Sequence, residues 1–497
     1  MISSRIGSIF ITAIVVMFAL YTIFGIITGQ GNSLGNLARI CTLMTVCVGV
    51  VMPKQALYLL IIYGCYVDLF KRTMILDLRL TFIDIAWVLS LPIALVGSLV
   101  LARLMQWVLL GRKLTALEIK VFVFGVVISF ASFIFIVATQ GPSLTAMQLV
   151  ANLGAYTFMP FVMLGFIEKE SDLMKYMRFC ILISIPAALY GIKQWVTGFS
   201  NFEVAYMETG LTVLVGQLDN DVIRPFSTVS NPGSFAVLCF FGIALSLFAI
   251  CQNKYKINQD YVIKLPKIIS IICILIFLAA LLLARIRTVW MVIPLASFLW
   301  IMFKTYKKTI SAYFIMGSLF LLMVMSSKYI LENNILEVLS KKLISKFGHN
   351  EYAEQALQLQ TWAERLKGYR DVLSVPSEWP LFWTDGNSGV KYHDDISRLL
   401  YSVGAIPTGL IFFGMIVIVF FVHKLIIVQT EKGWHRSLAC FGMAGFIALL
   451  ARGIAAGFGA TVFPSNLIMY IFLSFTVLSI QFSKRYRDAN KLEIDTV

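Results

Sequence analysis

Charged residues are scarce in this sequence, at 13% of 497 positions, and acidic residues are scarcer than basic ones, 26 against 41. Hydrophobic residues make up 59% of the chain, and the mean hydropathy is +0.84. A soluble protein with this composition would expose large apolar patches, so a soluble globular enzyme is excluded. Intrinsic disorder is also excluded, because the chain has ample apolar surface to offset the entropy lost on ordering.

Metal and disulfide patterns are missing as well. The eight cysteines all lie in apolar stretches and form no CxxC pair, which predicts small core residues instead of a zinc site or a disulfide framework. The apolar run that follows Met1 to Arg5 extends to Thr28 and has no small-x-small cleavage site. It is too long for the apolar region of a signal peptide and predicts a retained first membrane anchor.

Long apolar runs dominate what is present. A membrane-spanning helix needs about 20 apolar residues, and backbone groups in lipid must bond within their own helix. The sequence therefore predicts an all-α polytopic transmembrane helix bundle of about 12 to 14 spans. The candidate spans are 7–28, 37–52, 55–70, 82–102, 119–138, 145–167, 176–195, 233–251, 267–284, 289–303, 310–325, 400–424, 438–458 and 463–481. Only Pro53 and Lys54 separate the second span from the third, which allows either a tight hairpin or one broken helix.

These runs divide the chain into four parts. Residues 1–325 form a transmembrane bundle of about eleven spans, 326–399 one long extracytoplasmic loop, 400–482 the C-terminal membrane helices and 483–497 a tail. Between residues 335 and 374 the apolar residues recur at helical spacing, which predicts amphipathic helices in the loop that lie over the bundle.

Basic residues give the orientation. With fourteen spans and a cytoplasmic N-terminus, 23 of the 41 Lys and Arg fall on the cytoplasmic side and 18 outside, nine of them in the long loop. Over short loops the bias is 23 against nine, and positive charge on short loops marks the inside. Both termini are therefore predicted to be cytoplasmic.

Several basic residues remain on the outer side, where the orientation rule does not favour them. They are Arg224, Arg285, Arg287 and Arg452, with Lys71, Arg72 and Arg79 near another outer turn. Each can snorkel to the interface or pair with a carboxylate, but two arginines in one short turn between apolar helices favour an anionic ligand. A guanidinium matches phosphate oxygens in bidentate geometry.

The segment from Arg224 to Gly233 is a polar turn that leads into a membrane helix. Pro232 suits the first helical position and Asn231 or Ser230 the cap, so one interpretation is a simple helix start. The other interpretation is that the amides at this helix end contact an anion.

The long loop ends in a cluster of titratable residues. His393, Asp394 and Asp395 lie at the membrane boundary, where an imidazole oriented by a carboxylate can transfer a proton. A solvated interfacial cluster is the alternative. Metal binding is disfavoured because adjacent residues on a helix point in different directions and no HExxH pattern or Cys/His spacing is present.

The order of these features resembles the O-antigen polymerase and O-antigen ligase family of bacterial membrane glycosyltransferases. Arg224 to Gly233 is similar to the family's arginine and small-residue turn with Asn-Pro before a membrane helix, and Arg285 to Trp290 to its arginine-to-tryptophan segment. The long loop, ending in His393-Asp394-Asp395 before Leu399-Leu400, is similar to the family's His-Asn-x-Tyr-Leu motif. His349-Asn350-Glu351-Tyr352 also fits that motif, but it lies in mid-loop with no membrane helix after it.

The resemblance implies a glycosyltransferase that works on undecaprenyl-diphosphate-linked glycan at the periplasmic face of the bacterial inner membrane. Arg224, Arg285, Arg287 and Arg365 would bind the diphosphate. His393 would be the general base or would orient the acceptor, with help from Asp394 or Asp395. The reaction would need no metal and no cofactor. Chain-length regulators and flippases are the expected partners, and nucleic acid is not.

Several hypotheses remain, and the first two differ in the molecule that accepts the glycan. Polymerisation of repeat units into O-antigen, capsule or exopolysaccharide is favoured, with ligation to the lipid A core of lipopolysaccharide as the alternative. A transporter of lipid-linked glycan is a hypothesis from a different class, and it predicts charges at mid-membrane depth and inverted repeats. A structural partner in an envelope complex would tolerate the loss of His393.

Overall fold

The computed structural model describes residues 33–74, 82–140, 150–209, 224–252, 262–305, 400–401, 404–430, 433–456 and 462–495. For 33–34, 82–83, 134–140, 287, 454–456 and 489–495 it describes the backbone alone. The predicted spans 7–28 and 310–325 and the loop 326–399 lie outside these residues.

The described residues are mostly helical and contain no strand. The helices are α1 (Ser33–Val51), α2 (Pro53–Thr73), α3 (Phe82–Leu110), α4 (Ala116–Gln140), α5 (Val150–Phe166), α6 (Glu170–Thr197), α7 (Asn201–Glu208), α8 (Pro232–Gln252), α9 (Lys267–Leu283), α10 (Arg287–Thr305), α11 (Ala405–Gln429), α12 (Trp434–Ala456) and α13 (Ser465–Asp495). Eight of them are long and apolar enough to cross a membrane: α3, α4, α6, α8, α10, α11, α12 and α13. The all-α multi-pass membrane architecture is thus confirmed, while the total of 12 to 14 spans stays a prediction.

The break at Pro53 is a hairpin. α1 ends at Val51 and α2 begins at Pro53, where the ring suits the first turn of a helix. The hydroxyls of Thr45 and Tyr63, each nine residues from Lys54, lie 2.5 Å apart. The two helices therefore fold back on each other.

The centre of the bundle is α13, in which residues 465–483 are all buried. Two glycines of α12 let it approach this helix closely. A Cβ at Gly442 would lie 2.4 Å from the Phe472 carbonyl oxygen, and one at Gly445 would lie 2.4 Å from the Phe472 ring. Small residues serve this purpose in membrane bundles, because packing rather than water exclusion holds helices together in lipid.

Polar contacts sort the helix ends into two groups. The first group, called the turn end here, contains ends of α2, α6, α7, α8, α12 and α13. The residues that connect these helix ends are Arg72, Glu203, 224–233, Arg452 and Ser465. The second, the opposite end, joins Arg103 to Glu118, Arg112 to Glu168 and His435 to Glu170. These groups agree with the up-and-down order expected from the sequence, which predicts that the turn end faces outward.

The contacts at the opposite end are ionic. Arg103 and Glu118 form a buried pair at 2.6 Å, and Glu118 also exchanges capping hydrogen bonds with Thr115 at the start of α4. Arg112 Nη2 lies 2.5 Å from Glu168 Oε1 in the more exposed turn before α6. The hydrogen bond from Arg112 lowers the pKa of the Glu168 carboxyl below its ordinary value.

Candidate functional site

The candidate site is built around the segment from Arg224 to Gly233 at the turn end. Arg224 is exposed, whereas Pro225 to Val229 are buried. Ser227 adopts a φ of 54°, a left-handed conformation that is uncommon for a residue with a Cβ. Such a conformation persists only where surrounding contacts fix it, so the neighbours of this turn decide its shape.

Ser227 and Thr228 donate hydrogen bonds to residues of the neighbouring helices. The Ser227 N–H donates to Gln194 Oε1 at 2.6 Å, and its hydroxyl donates to the Ala187 carbonyl on α6. The Thr228 hydroxyl donates to the Cys65 carbonyl on α2. Helices α2 and α6 thereby hold the turn in place.

Arg72 is the centre of this anchorage. The residue is 1% exposed, and its guanidinium donates to Glu203 Oε1 at 2.7 Å, to the Ser227 carbonyl at 2.7 Å and to the Val229 carbonyl at 3.2 Å. Its Nε donates to the Asp68 carbonyl, and its charged carbon lies 4.6 Å from the centre of the Phe226 ring. A single side chain thus fixes two carbonyls of the turn with donors in fork geometry.

Glu203 supplies the buried counter-charge. Its Oε1 accepts from both Arg72 and Gln194, and its Oε2 accepts the Ser200 N–H at 3.0 Å in a capping box at the start of α7. Burial of an ion pair is tolerated when further hydrogen bonds satisfy the remaining oxygens and protons, as they do here.

This network decides between the alternatives that the sequence left open for Lys71 and Arg72. Both pair with a carboxylate, because Arg72 bonds to Glu203 and Lys71 pairs with Asp68 at 2.7 Å. Sequence reasoning missed Gln194 and Glu203. The Ser200-x-x-Glu203 pattern, which is typical of a helix start, was the available signal for the latter.

The end of the segment is the helix start that the sequence suggested. Asn231 Oδ1 accepts the Ser234 N–H at 2.8 Å, and α8 begins at Pro232. Asn231, and not Ser230, is therefore the cap. Ser230 donates instead to the Phe463 carbonyl before α13.

A buried arginine from α12 reaches the same helix start. Arg452 is 4% exposed, and its Nη2 lies 3.5 Å from the Gly233 carbonyl oxygen. A Cβ at position 233 would be only 3.0 Å from that nitrogen. Glycine at this position therefore gives the guanidinium room beside the start of α8.

The second arginine segment lies between α9 and α10. α9 ends at Leu283, Arg285 has a φ of 53° and is partly buried, and α10 starts at Arg287. Trp290 Nε1 donates to the Leu281 carbonyl at 3.3 Å, which ties the first turn of α10 to the end of α9. The two helices are thus connected by a sharp turn that contains Arg285.

Helix packing brings these segments to one end. Near the opposite end, Trp300 of α10 donates to the Ser437 carbonyl of α12 at 3.1 Å, and its ring lies 5.9 Å from that of Phe248 on α8. Position 287 lies 13 residues along α10 from Trp300, and positions 452 and 233 lie 15 residues along their helices from Ser437 and Phe248. At 1.5 Å per residue these distances are about 20–23 Å. The start of α10, Arg452 and the Arg224–Gly233 turn therefore lie at similar depth.

An apolar cleft runs between these helices. It has a volume of about 40 Å³ and is partly open to the surface, and α8, α10, α12 and α13 line it. Its walls include Ala244, Ala296 and Gly445, and its polar contribution is Ser297. The lining is apolar, but the volume admits only a few water-sized groups and not a lipid chain.

The remaining predicted site residues cannot be placed by these contacts. His393, Asp394, Asp395 and Arg365 lie outside the described residues, and Arg287 is described by its backbone alone. Within the described ranges, no group of three or more His, Cys, Asp or Glu could hold a metal ion.

Comparison with known proteins adds no relative: no protein-family model and no curated protein matches this chain.

Proposed function

We propose that this protein is a membrane glycosyltransferase that polymerises undecaprenyl-diphosphate-linked oligosaccharide repeat units into O-antigen, capsule or exopolysaccharide. The observation that carries the proposal is the common depth of the Arg224–Gly233 turn, the Arg285 turn and Arg452. Three cationic segments from separate parts of the chain lie at a similar depth, and the proposal is that the diphosphate of a lipid-linked donor binds at this depth.

The chemistry needs positive charge at the leaving group. The bond between the anomeric carbon and the diphosphate oxygen breaks, and a bond from that carbon to the acceptor hydroxyl oxygen forms. Negative charge then develops on the diphosphate, and preorganised guanidinium groups stabilise it. With that stabilisation from Arg224, Arg285, Arg287 and Arg365, the reaction requires no metal.

The acceptor hydroxyl loses a proton in the same reaction. In this proposal His393 takes that proton or orients the hydroxyl, and Asp394 or Asp395 orients the imidazole.

The positions of buried charge support an enzyme over a transporter. A transporter predicts ionisable groups near mid-membrane. In the described part of the chain, the buried ion pairs Arg72–Glu203 and Arg103–Glu118 lie at helix ends. They hold turns and caps in place and do not line a path across the bundle.

Glycan chain length tests the function. Cells that lack the wild-type protein would express His393→Ala, Arg285→Ala or Arg287→Ala, with Lys175→Ala as the control because that side chain is 71% exposed at the opposite end. We expect the first three variants to lose long polymer at normal protein levels and the control to keep it.

Other outcomes identify the alternatives. Normal long polymer in all three variants would refute the catalytic assignment. Polymer that is retained on its carrier and missing from the lipid A core would indicate a ligase. Lipid-linked repeat units trapped on the cytoplasmic leaflet would indicate a transporter.

A further inference from the structure

A second buried arginine lies at the opposite end of the bundle and has no part in the proposed reaction. Arg436, the third residue of α12, is 8% exposed. Its Nε and Nη2 have no hydrogen-bond acceptor in the structure, and no described carboxylate forms an ion pair with it. Buried guanidinium donors without acceptors are costly, so this position calls for an anion.

Two more nitrogen-bearing side chains come from neighbouring helices. Lys304 is in the last turn of α10, and His423 of α11 packs its ring 4.8 Å from that of Phe303 on α10. Arg436 lies within electrostatic range of His423, and both Arg436 and Lys304 lie within range of Cys440. Two cations, from α10 and α12, and an imidazole from α11 therefore lie near one another.

The carboxylate beside the start of α12 has a different partner. Glu170 Oε1 lies 3.5 Å from His435 Nε2, on the residue before Arg436. The first amides of α12 add positive potential, because the N–H groups of a first helical turn have no partner within the helix. A helix start beside a buried arginine is a favourable place for a phosphate group.

The depth of the cluster identifies the kind of anion. His423 is 18 residues along α11 from Ala405, which is about 27 Å at 1.5 Å per residue, close to the thickness of a hydrocarbon core. The cluster therefore lies at the second membrane surface, where lipid headgroup phosphates are concentrated. A soluble anion would have no comparable local abundance there.

We propose that Arg436, together with Lys304, His423 and the start of α12, binds the phosphate of an anionic phospholipid headgroup at the end of the bundle opposite the turn end. This site is separate from the proposed glycosyl transfer and does not depend on it. Its occupant stabilises the junction of α10, α11 and α12.

Lipid titration of the full-length protein tests the proposal. The purified protein in neutral detergent is titrated with phosphatidylglycerol, with phosphatidylcholine or with inorganic phosphate, and thermal unfolding is followed. We expect phosphatidylglycerol to raise the Tm of the wild type and phosphatidylcholine to leave it unchanged. Arg436→Gln should bind phosphatidylglycerol about ten- to a hundredfold more weakly, as expected for the loss of charged hydrogen bonds.

The controls separate a site from a general charge effect. Lys175→Gln removes an exposed cation from the same end and should keep the full response. Arg436→Lys and Lys304→Gln each leave part of the positive charge of the cluster in place and should weaken phosphatidylglycerol binding only partly. These two variants keep the test usable if Arg436→Gln fails to fold. An unchanged response in both of these variants would overturn the proposal.

Two further results would also overturn it. A phosphatidylglycerol response in Arg436→Gln equal to that of the wild type would show that the cluster is not the binding site. A response to inorganic phosphate alone that depends on Arg436 and equals that of the lipid would show that a free anion, and not a headgroup, occupies it.

Discussion

Replacement of Arg72 by lysine tests whether this buried side chain holds the Arg224–Gly233 turn. Lysine keeps the positive charge, so a charge pair with Glu203 remains feasible. Its ammonium group cannot take the place of a fork that donates to Glu203, Ser227 and Val229 from separate nitrogens. The variant therefore removes the bonds to the turn while it preserves the net charge.

The magnitude follows from the two carbonyl contacts. A hydrogen bond from a charged group contributes about 1.5–3 kcal/mol, and the side chain is 2% exposed, so solvent screens these bonds little. With partial compensation by the lysine, we expect Arg72→Lys to lower the free energy of unfolding by about 3 kcal/mol, roughly a hundredfold in the equilibrium constant. The matched control, Arg178→Lys, lies on the exposed face of α6 and should change stability by less than about 0.5 kcal/mol.

Two measurements on the variant answer different questions. Thermal unfolding in detergent reports the stability, and glycan chain length below the unfolding temperature reports the position of the turn. If the proposed function is correct, folded Arg72→Lys protein should make shorter polymer, because Arg224 is carried by the displaced turn. A variant with wild-type Tm and wild-type chain length would refute the reasoning.

Three other substitutions test separate contacts by thermal unfolding. Asn231→Ala should cost about 1 kcal/mol through loss of the α8 cap, and Asn231→Ser should restore most of it; equal stability of all three proteins would argue against the cap. Gly442→Ala would force a Cβ to 2.4 Å from the α13 backbone and should cost about 1–3 kcal/mol, whereas Gly409→Ala, with open space around it, should not; similar Tm values would contradict the close packing. The Glu168 pKa is lowered, so its contribution is present above the ordinary carboxyl pKa and is lost as pH falls through the lowered value. Arg112→Gln should flatten that acid loss, by an amount that stays small because the pair is exposed, and an unchanged pH profile would exclude the contact.

Local signals predicted local structure well. The start of α8 followed from Asn231 and Pro232, because a cap and a first-turn proline act within one helical turn. The choice between a hairpin and a broken helix at Pro53 stayed open because proline permits both. The Thr45–Tyr63 contact that decides it joins residues 18 positions apart, and no local signal encodes it.

The partner of Arg72 shows where sequence reasoning stops. Glu203 is 131 residues away, and its local pattern predicted only a helix start. Which cation a buried carboxylate meets depends on how α2, α6 and α7 pack, and many packings satisfy the same apolar periodicity. The sequence therefore identified an excess of positive charge on the side predicted to face outward, but it could not divide that charge between structural and ligand-binding roles.

Burial and contacts make that division for Arg72 and Arg224. Arg72 is enclosed and donates to Glu203 and to the turn carbonyls, as an arginine that fixes a turn does. Arg224, which the proposal assigns to the diphosphate, has an exposed side chain. The two roles are connected, since Arg72 fixes the backbone that carries Arg224. A cation on a fixed backbone loses less conformational entropy when an anion binds, so in the proposed function Arg72 would increase the affinity of Arg224 for the diphosphate without touching that ligand.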